Sequence, residues 1–283
     1  TDLGNVEVVF GSLANQESRA AIPPDRMSYN FVRSVPLKVN TDIARGESLI
    51  RKAPAMFPDY LSDERSISID RDKYQSIWLT IQIPNDALPG AYSGSIKIET
   101  DKGSKSVDVQ LTVYPLTMPE KSNLYTTNWY QMHKKYHDFQ NPFDEKFFKL
   151  IEVYAKNMAA HRQNVFRVEL NSISATRDKN KRLTFDFTNF DRWVGIFEKT
   201  GALSRIETGF VAHFETGDWD DTKIVLRDYD VKDETTGELI KMKGESYLPQ
   251  LLPALEKHLK GKGWLQKTLF HISDEPCNHN IIS

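Results

Sequence analysis

The feature that most constrains the fold is a change in hydrophobic period near residue 117. Before this point apolar residues alternate with polar ones, which is the period of a half-buried strand. The clearest alternation comprises Ile77, Leu79, Ile81 and Ile83. After residue 117, apolar residues recur at helical spacing, and these helical segments are separated by short apolar runs. Pro115 and Pro119 punctuate the transition in VYPLTMPEKSN, so the sequence predicts two domains, residues 1–117 and 118–283.

The first domain is predicted to be an antiparallel β-sandwich. The turn segment PNDALPG follows the alternating run, where proline fixes φ and Gly90 tolerates positive φ. A second alternating run, residues 92–98, leads to the turn 101–103, and a third run spans residues 107–113. Short antiparallel strands with tight turns and polar outer faces are typical of a β-sandwich.

The second domain is predicted to alternate strands with helices. Helical spacing predicts helices over residues 144–163, 187–201 and 247–259. Short apolar runs predict strands near residues 124–129, 164–170, 206–214 and 268–273. Such alternation implies a parallel sheet with right-handed crossovers, as in a doubly wound sheet or a TIM barrel. No GxGxxG or GxxxxGK[ST] motif is present, which weakens a nucleotide-binding interpretation.

Polar residues at the predicted strand ends favour the barrel, because the functional residues of a TIM barrel lie where its strands end. The residues at these ends are Asn128 and Trp129, Glu169 and Asn171, His213 and Glu215, and Asp274 and Glu275. The predicted fold class is therefore multidomain. It is an N-terminal antiparallel β-sandwich followed by about the first four βα units of an α/β TIM barrel.

Composition argues against several classes of protein. The net charge of -2 gives no reason to expect nucleic acid or an anionic membrane as a partner. No apolar run approaches the roughly 20 residues of a membrane span. The single cysteine, Cys277, excludes an internal disulfide and a cysteine-based zinc cluster. No cofactor is expected, and the composition does not indicate an oligomeric state.

The N-terminal residues leave the compartment open. The chain begins TDLGNVEVVF, without the charged n-region or apolar h-region of a signal peptide. We nevertheless expect an extracytoplasmic location, as a periplasmic or secreted bacterial protein, and the sequence does not decide whether a signal peptide was cleaved before Thr1.

Asp274 and Glu275 are the predicted catalytic residues. Two neighbouring carboxylates can supply an acid and a base when their surroundings separate their pKa values. An isolated Asp-Glu pair is more often a solvated surface pair, but this one follows the apolar segment FHIS. Adjacent residues on a regular strand point to opposite faces, whereas both can reach one pocket where the pleat relaxes. Pro276 favours an extended Glu275 and is predicted to end the strand.

Several segments of the chain resemble glycoside hydrolase family 123. They are FHISDEP, the NW that opens the second domain, MAAHRQNV before the second predicted strand, and DALPGAYSG in the first domain. The resemblance is spread over most of the chain, and FHISDEP is its most specific part. It implies a β-sandwich before a TIM barrel, and hydrolysis of β-linked N-acetylgalactosamine, or a related N-acetylhexosamine, in a glycan or glycolipid.

The resemblance also implies substrate-assisted, retaining catalysis, an exception to the usual two-carboxylate mechanism. In that mechanism the 2-acetamido oxygen of the sugar attacks the anomeric carbon. Asp274 would orient the acetamido group and stabilise the oxazolinium intermediate, while Glu275 would protonate the leaving oxygen and then activate water. The motif also resembles the HxGGDE strand of family 20 hexosaminidases. His271 lies three residues before the aspartate rather than four, so that family's histidine role is not assigned to it.

The other strand-end residues have structural alternatives. Trp129 is either a platform for a sugar ring or a core residue at the barrel rim. Asn128 either binds a hydroxyl or caps a turn. Of Glu169 and Asn171, only one is expected to touch substrate.

The residues after the third predicted strand are weaker candidates. A structural role is favoured for His213, although His213 and Glu215 have the parity to face one pocket. Trp219 and Asp220 lie in a long loop, where binding residues often occur. No spacing compels a metal site among His213, Glu215 and Asp220, and none is predicted.

The strand count suggests an incomplete barrel. A TIM barrel needs about 250 residues and eight strands, whereas residues 118–283 supply four predicted strands. We therefore expect this stretch alone to lack the glycosidase activity of the full-length protein. Two alternatives stay open. One is a non-catalytic carbohydrate-binding or scaffold protein that uses Trp129 and Trp219. The other is a glycosidase of different sugar specificity, which keeps Glu275 as acid and drops the acetamido role of Asp274.

Overall fold

The computed structural model describes residues 2–41, 49–132, 137, 139–217, 221 and 223–276. The chain divides into two compact units, Thr1–Met118 and Pro119–Ser283, one residue from the boundary expected at 117. Each unit contains hydrophobic clusters of its own, as expected of separate domains.

The first unit is built from antiparallel sheets. Its described strands are β1 (Leu3–Phe10), β2 (Leu13–Asn15), β3 (Ala21–Ile22), β4 (Met27–Leu37), β5 (Ala55–Ser62), β6 (Ile67–Ile69), β7 (Ile77–Ile81), β8 (Gly90–Thr100) and β9 (Gly103–Val113). One sheet has the order β3-β2-β8-β1-β6, with β9 also pairing with β8, and the other has the order β5-β4-β7. All of these pairs are antiparallel.

The two sheets of the first unit share an apolar core. Val6 and Val8 on β1 alternate with exposed residues, and Tyr29 and Phe31 on β4 alternate with residues that are less buried. These four side chains belong to one buried cluster, so the period-two pattern marks the inner face of each sheet. The antiparallel pairing and the strands expected near residues 77–83, 92–98 and 107–113 are as predicted, whereas β1 to β6 were not located from the sequence. The sandwich topology stays a prediction.

The second unit mixes helices with short strands. Its described helices are α1 (Glu145–Ala160), α2 (Thr188–Lys199) and α3 (Gly244–Gly261). Its described strands are β10 (Val165–Val168), β11 (Ser174–Arg177), β12 (Leu183–Asp186), β13 (Arg205–Thr208), β14 (Ala212–Phe214), β15 (Ile224–Leu226), β16 (Tyr229–Asp233), β17 (Leu239–Met242) and β18 (Thr268–Leu269). Within the described part of the chain, no helix is long and apolar enough to cross a membrane.

The three predicted helices are present, and their ends have local causes. The Asp144 carboxylate accepts the Phe147 N–H at 2.8 Å and caps the start of α1. After α2, Gly201 adopts a φ of 72°, the left-handed conformation that glycine supplies at helix ends. The helices bury their apolar faces in one cluster with Phe166 and Ile206.

Strands β10, β13 and β18 form a parallel sheet in that order. Phe166 on β10 lies opposite Ile206 on β13, and both are fully buried in the cluster that includes the helices. Arg167 and Glu207, the next residues of the two strands, also lie opposite one another. Successive side chains point to opposite faces, so the sheet has a helix face, with Phe166 and Ile206, and a cavity face, with Arg167 and Glu207.

The predicted strand at 124–129 is wrong, because those residues form no strand. Asn164 takes the place of a strand ladder there. Its Oδ1 accepts the Thr126 N–H at 2.9 Å, and the Asn164 and Val165 N–H groups donate to the Thr126 carbonyl. Thr126 is therefore anchored to the start of β10 by hydrogen bonds, without a continuous strand ladder.

Two other predicted strands differ in length. The strand expected at 206–214 is divided, since β13 ends at Thr208 and β14 pairs antiparallel with β15 in another sheet. The strand expected at 268–273 is only Thr268–Leu269. The described residues thus contain three parallel strands of this sheet rather than four, and the closed TIM barrel stays a prediction.

A second sheet in this unit was not predicted. It has the order β12-β11-β16-β17 and contains a parallel pair between β11 and β16. Arg177 on β11 donates to Asp233 on β16 with an Nη2–Oδ2 distance of 2.6 Å. The alternation of apolar and polar residues in β16 and β17 is too weak to distinguish these strands from a charged loop.

Candidate active site

A cavity of about 560 Å³ lies in the second unit. Its lining includes residues at or after the carboxyl ends of all three parallel strands, namely Arg167 and Glu169 from β10, Phe210 after β13 and Asp274 after β18. Trp129 and Asn171 also line it. Four of the eight predicted site residues, Trp129, Glu169, Asn171 and Asp274, are therefore brought to one cavity.

The two predicted catalytic carboxylates are placed differently. Asp274 is half-buried and lines the cavity, whereas Glu275 is exposed and does not line it. Glu275 has a φ of 38°, so the extended conformation expected before Pro276 is wrong. This left-handed backbone turns the chain between the two residues, and of the two only Asp274 lines the cavity. The catalytic roles of Asp274 and Glu275 stay a prediction.

The segment that carries Asp274 is held beside β13 and β14. The His271 N–H donates to Thr208 Oγ1 at 3.2 Å, and the Ala212 N–H donates to the Ile272 carbonyl at 2.8 Å. The chain therefore stays next to β13 and β14 after β18 has ended. These contacts place Asp274 at the cavity although no ladder reaches it.

Arg167 and Glu169 form an ion pair in the cavity wall. Arg167 Nε donates to Glu169 Oε1 at 2.7 Å, and the two side chains are 14% and 39% exposed. Gly209 makes room for this pair, because a Cβ at residue 209 would lie 1.9 Å from Glu169 Oε2. Glycine is thus required where the β10 and β13 ends approach each other.

Aromatic rings form another part of the wall. Trp129 is 45% exposed and meets the rings of Phe210 and His271 edge-on, with centroid distances of 5.5 and 5.7 Å. Phe210 and His271 are stacked at 5.1 Å. The Arg167 guanidinium lies 5.2 Å from the Trp129 ring centroid and 4.5 Å from that of Phe210, within the range of a cation–π contact.

Glu207 supports this wall from the sheet. Its side chain is only 5% exposed. Oε1 accepts the Trp129 indole N–H at 2.8 Å, and Oε2 accepts the Thr127 hydroxyl at 3.0 Å. His271 Nδ1 lies 3.0 Å from Oε1 but makes no hydrogen bond to it. A buried carboxylate thus contacts two segments that flank the cavity.

Tyr130 and Trp193 also contribute side chains to the lining. Trp193 Nε1 donates to the Tyr130 hydroxyl at 3.0 Å, and that hydroxyl donates to the Arg167 carbonyl at 2.8 Å. Burial raises the pKa of the Tyr130 phenol, so the phenol stays neutral and keeps its proton for the bond to β10. The two rings therefore anchor the backbone of Arg167.

Three predicted binding residues lie away from the cavity lining. Asn128 Nδ2 donates to Gln163 Oε1 at 3.3 Å, a side-chain contact that links two segments of the chain. His213 is exposed on β14. Glu215 pairs with Lys223 at 2.7 Å and raises the pKa of that lysine. A substrate role for these residues stays a prediction.

No metal centre is seen in the part of the chain that the structure describes. No group of three or more His, Cys, Asp or Glu side chains is arranged there to hold an ion. Trp219, Asp220 and Cys277 lie outside the described residues.

Sequence reasoning missed Arg167, Glu207, Phe210 and Arg227, of which all but Glu207 line the cavity. A signal existed for two of them. Arg167 and Glu207 are charged residues inside the short apolar strands NVFRVEL and RIET, and a charge within a buried strand needs a partner. Phe210 and Arg227 had no such signal.

Two family models match the chain. The catalytic domain of glycoside hydrolase 123 matches residues 127–282, and the glycoside hydrolase 123 N-terminal domain matches residues 1–100. The chain belongs to glycoside hydrolase family 123. The family 123 catalytic-domain match spans Trp129, Glu169 and Asp274, and the resemblance seen in the sequence is confirmed.

A solved structure of the same family has a similar fold. It is a family 123 glycoside hydrolase from Clostridium perfringens, studied for glycolipid glycan hydrolysis, with a TM-score of 0.78 and 19% sequence identity. The similarity covers 99% of this chain and 51% of that chain, so the family 123 chain described here spans about half the length of that protein. No curated protein matches the chain.

Proposed function

We propose that this chain is part of a glycoside hydrolase that removes β-linked N-acetylgalactosamine, or a related N-acetylhexosamine, from glycans. The observation that carries the proposal is the family 123 catalytic-domain match over residues 127–282, the region that also forms the cavity containing Asp274. The proposed partner is a carbohydrate, and the glycolipid glycan studied with the Clostridium perfringens protein supports that class of substrate.

The proposed reaction is substrate-assisted. The 2-acetamido oxygen attacks the anomeric carbon while the glycosidic C–O bond breaks, and the Glu275 carboxyl gives its proton to the leaving oxygen. Asp274 accepts the acetamido N–H and stabilises the positive charge of the oxazolinium ring. Water then attacks the anomeric carbon, Glu275 takes its proton, and the ring opens to give a sugar of retained configuration.

The cavity has the chemistry that a sugar needs. Its volume of about 560 Å³ lies within the roughly 300–1,000 Å³ of small-molecule sites. Trp129 and Phe210 offer apolar surface to the C–H groups of a sugar ring. Glu169, Asn171 and Arg167 offer hydrogen-bond acceptors and donors for its hydroxyls.

The proposal asks Glu275 to reach the glycosidic oxygen. In the structure its side chain is exposed and does not line the cavity, whereas the preceding residue, Asp274, does. Binding of substrate over Asp274 would bring the leaving oxygen to the rim, where the Glu275 carboxyl can meet it. Asp274 would then act inside the cavity and Glu275 at its edge.

The test is hydrolysis by the full-length protein. We expect release of p-nitrophenol from the N-acetyl-β-galactosaminide but not from the β-galactoside, which lacks the acetamido nucleophile. Proton NMR should show the β-anomer as the first product. An inverted product would contradict the mechanism, and equal rates on both substrates would show a glycosidase of different sugar specificity.

A second candidate is a carbohydrate-binding or scaffold protein without catalysis. The placement of Glu275 outside the cavity lining favours it. Glu275→Gln separates the two candidates in the full-length protein. Glycan binding that persists while turnover is lost supports the enzyme, whereas binding without turnover in the wild type supports the binder. The extracytoplasmic location stays a prediction that cell fractionation can test.

A further inference from the structure

Glu207 is a buried carboxylate that lies next to the cavity without lining it. Its side chain is 5% exposed, and it occupies the cavity face of the central strand β13. Burying a charge is costly unless the group is hydrogen-bonded or paired. Its contacts therefore indicate what the residue does.

The contacts of Glu207 join two irregular segments. Thr127 and Trp129 come from residues 125–132, which form neither helix nor strand, and His271 comes from residues 270–276, which also form neither. Glu207 receives the Trp129 indole N–H at 2.8 Å and the Thr127 hydroxyl at 3.0 Å, and it lies 3.0 Å from His271 Nδ1. Side-chain contacts to Glu207 on strand β13 thus hold segments that no strand ladder holds.

Both segments carry residues of the cavity wall. Trp129 provides its exposed ring, and His271 stacks on Phe210 three residues before Asp274. Movement of either side chain would change the surface that a sugar meets. Catalytic and binding groups need support of this kind, since their geometry must hold to within about 0.5 Å.

We propose that Glu207 is a positioning residue of the candidate active site, which fixes the Trp129 indole so that the wall beside Asp274 keeps one geometry. Glu207 touches no substrate and acts through this indole, while the His271 imidazole lies against its carboxylate at 3.0 Å. The inference rests on the proposed function for its catalytic readout, and it names a residue that the proposed mechanism does not use.

A double-variant cycle in the full-length protein tests the link to Trp129. Glu207→Ala removes the acceptor, and Trp129→Phe removes the indole N–H but keeps an aromatic ring. We expect each variant to lower kcat/KM by roughly 10- to 100-fold, chiefly through KM, because misplaced binding groups cost about that much. The double variant should lose no more than the worse single variant, since both changes break the same bond. If the losses in kcat/KM of the two single variants multiply in the double variant, the proposal is overturned.

The chain contains a matched control for this cycle. Trp264 Nε1 donates to Glu198 Oε1 at 2.8 Å, the same bond at the same length, and neither residue lines the cavity. Glu198→Ala should leave KM and kcat within about twofold of wild type, as expected for a surface change away from the site. An equal KM increase in Glu198→Ala would assign the Glu207 effect to general destabilisation and overturn the proposal.

A spectroscopic readout keeps the inference separate from the proposed function. In ¹⁵N-labelled protein the indole N–H resonances of the five tryptophans can be assigned by single Trp→Phe changes. Glu207→Gln, which keeps the side-chain shape, should shift the Trp129 resonance and leave that of Trp264 in place, and Glu198→Gln should do the reverse. If the wild type hydrolyses nothing, the proposed function fails, yet this measurement still decides the positioning role. An unmoved Trp129 resonance would overturn it.

Discussion

The helix face and the cavity face of the parallel sheet are built from opposite kinds of residue. On β10, Phe166 is fully buried and its ring stacks on Phe197 of α2 at 4.4 Å. The next residue, Arg167, lies in the cavity wall and pairs with Glu169. On β13, buried Ile206 is followed by Glu207 in the same way.

This difference separates stability from function. The helix face gains free energy from apolar area and close packing, which need no particular partner. The cavity face holds charged groups that need specific partners, and leaving any of them unpaired is costly. We therefore expect changes on the helix face to affect the free energy of unfolding, and changes on the cavity face to affect binding and turnover.

The largest expected effect is on the helix face. Phe166→Ala should lower the free energy of unfolding by about 3–5 kcal/mol, the cost of deleting a fully buried ring. Urea denaturation followed by near-ultraviolet circular dichroism measures it. The control is Val153→Ala, because Val153 on α1 is 63% exposed, and it should change stability by less than about 0.5 kcal/mol. Similar values for both variants would show that the helix face is not a packed core.

The next effect is on the cavity face. Asp274→Asn in the full-length protein should lower kcat on an N-acetyl-β-hexosaminide by roughly 10²- to 10³-fold, as expected when one stabilising group is lost from the transition state. The free energy of unfolding should stay near that of wild type. Asp228→Asn, which breaks the exposed pair with Lys243 at 2.9 Å, is the control. If Asp274→Asn turns over substrate as fast as wild type, the cavity face is not the site of catalysis.

A smaller effect is expected where the two strand ends meet. Gly209→Ala places a methyl group 1.9 Å from Glu169 Oε2, so the carboxylate must move away from Arg167. The predicted cost is about 1–3 kcal/mol of unfolding free energy, together with weaker sugar binding by calorimetry. Gly195→Ala on α2 is the matched control, because nothing lies within 4 Å of its new Cβ and the change should be neutral or stabilising. Equal results would show that Gly209 is not needed for the Arg167–Glu169 pair.

The smallest expected effect concerns the start of α1, one of the helices that pack on the helix face of the sheet. The backbone N–H of Phe147 bonds the Asp144 carboxylate and holds its pKa below the ordinary value of 3.8. Because the pKa is lower in the folded state, the stabilisation is present above about pH 4 and is lost as the pH falls through the folded-state pKa. Asp144→Asn keeps an acceptor without the charge, so its thermal midpoint should fall below that of wild type at pH 7, and the difference should shrink as the pH falls through the folded-state pKa of Asp144. A constant difference across this range would contradict the capping role of the charge.

Much of the fold could be predicted because it is written in local periodicity. The 3.6-residue spacing located α1, α2 and α3, and the period-two runs located β7, β8 and β9 of the first unit but not β1 to β6. The strand at 124–129 was wrong because its apolar pattern is short and Asn164 competes for its backbone. Strand ends were misplaced for a similar reason, since β14 found a partner, β15, outside the parallel sheet.

The sequence by itself determined the two-unit organisation, the helices and the membership of family 123, and it predicted Asp274 as a site residue, because these depend on spacing and on short motifs. Only the tertiary structure decided which polar groups meet. Glu207 and Trp129 are 78 residues apart, and Arg167 faces Glu207 through the register of two parallel strands. Hydrophobic period reports which face of an element is buried but not what lies opposite it, so the contacts that join distant segments at the candidate site could be read only from the tertiary structure.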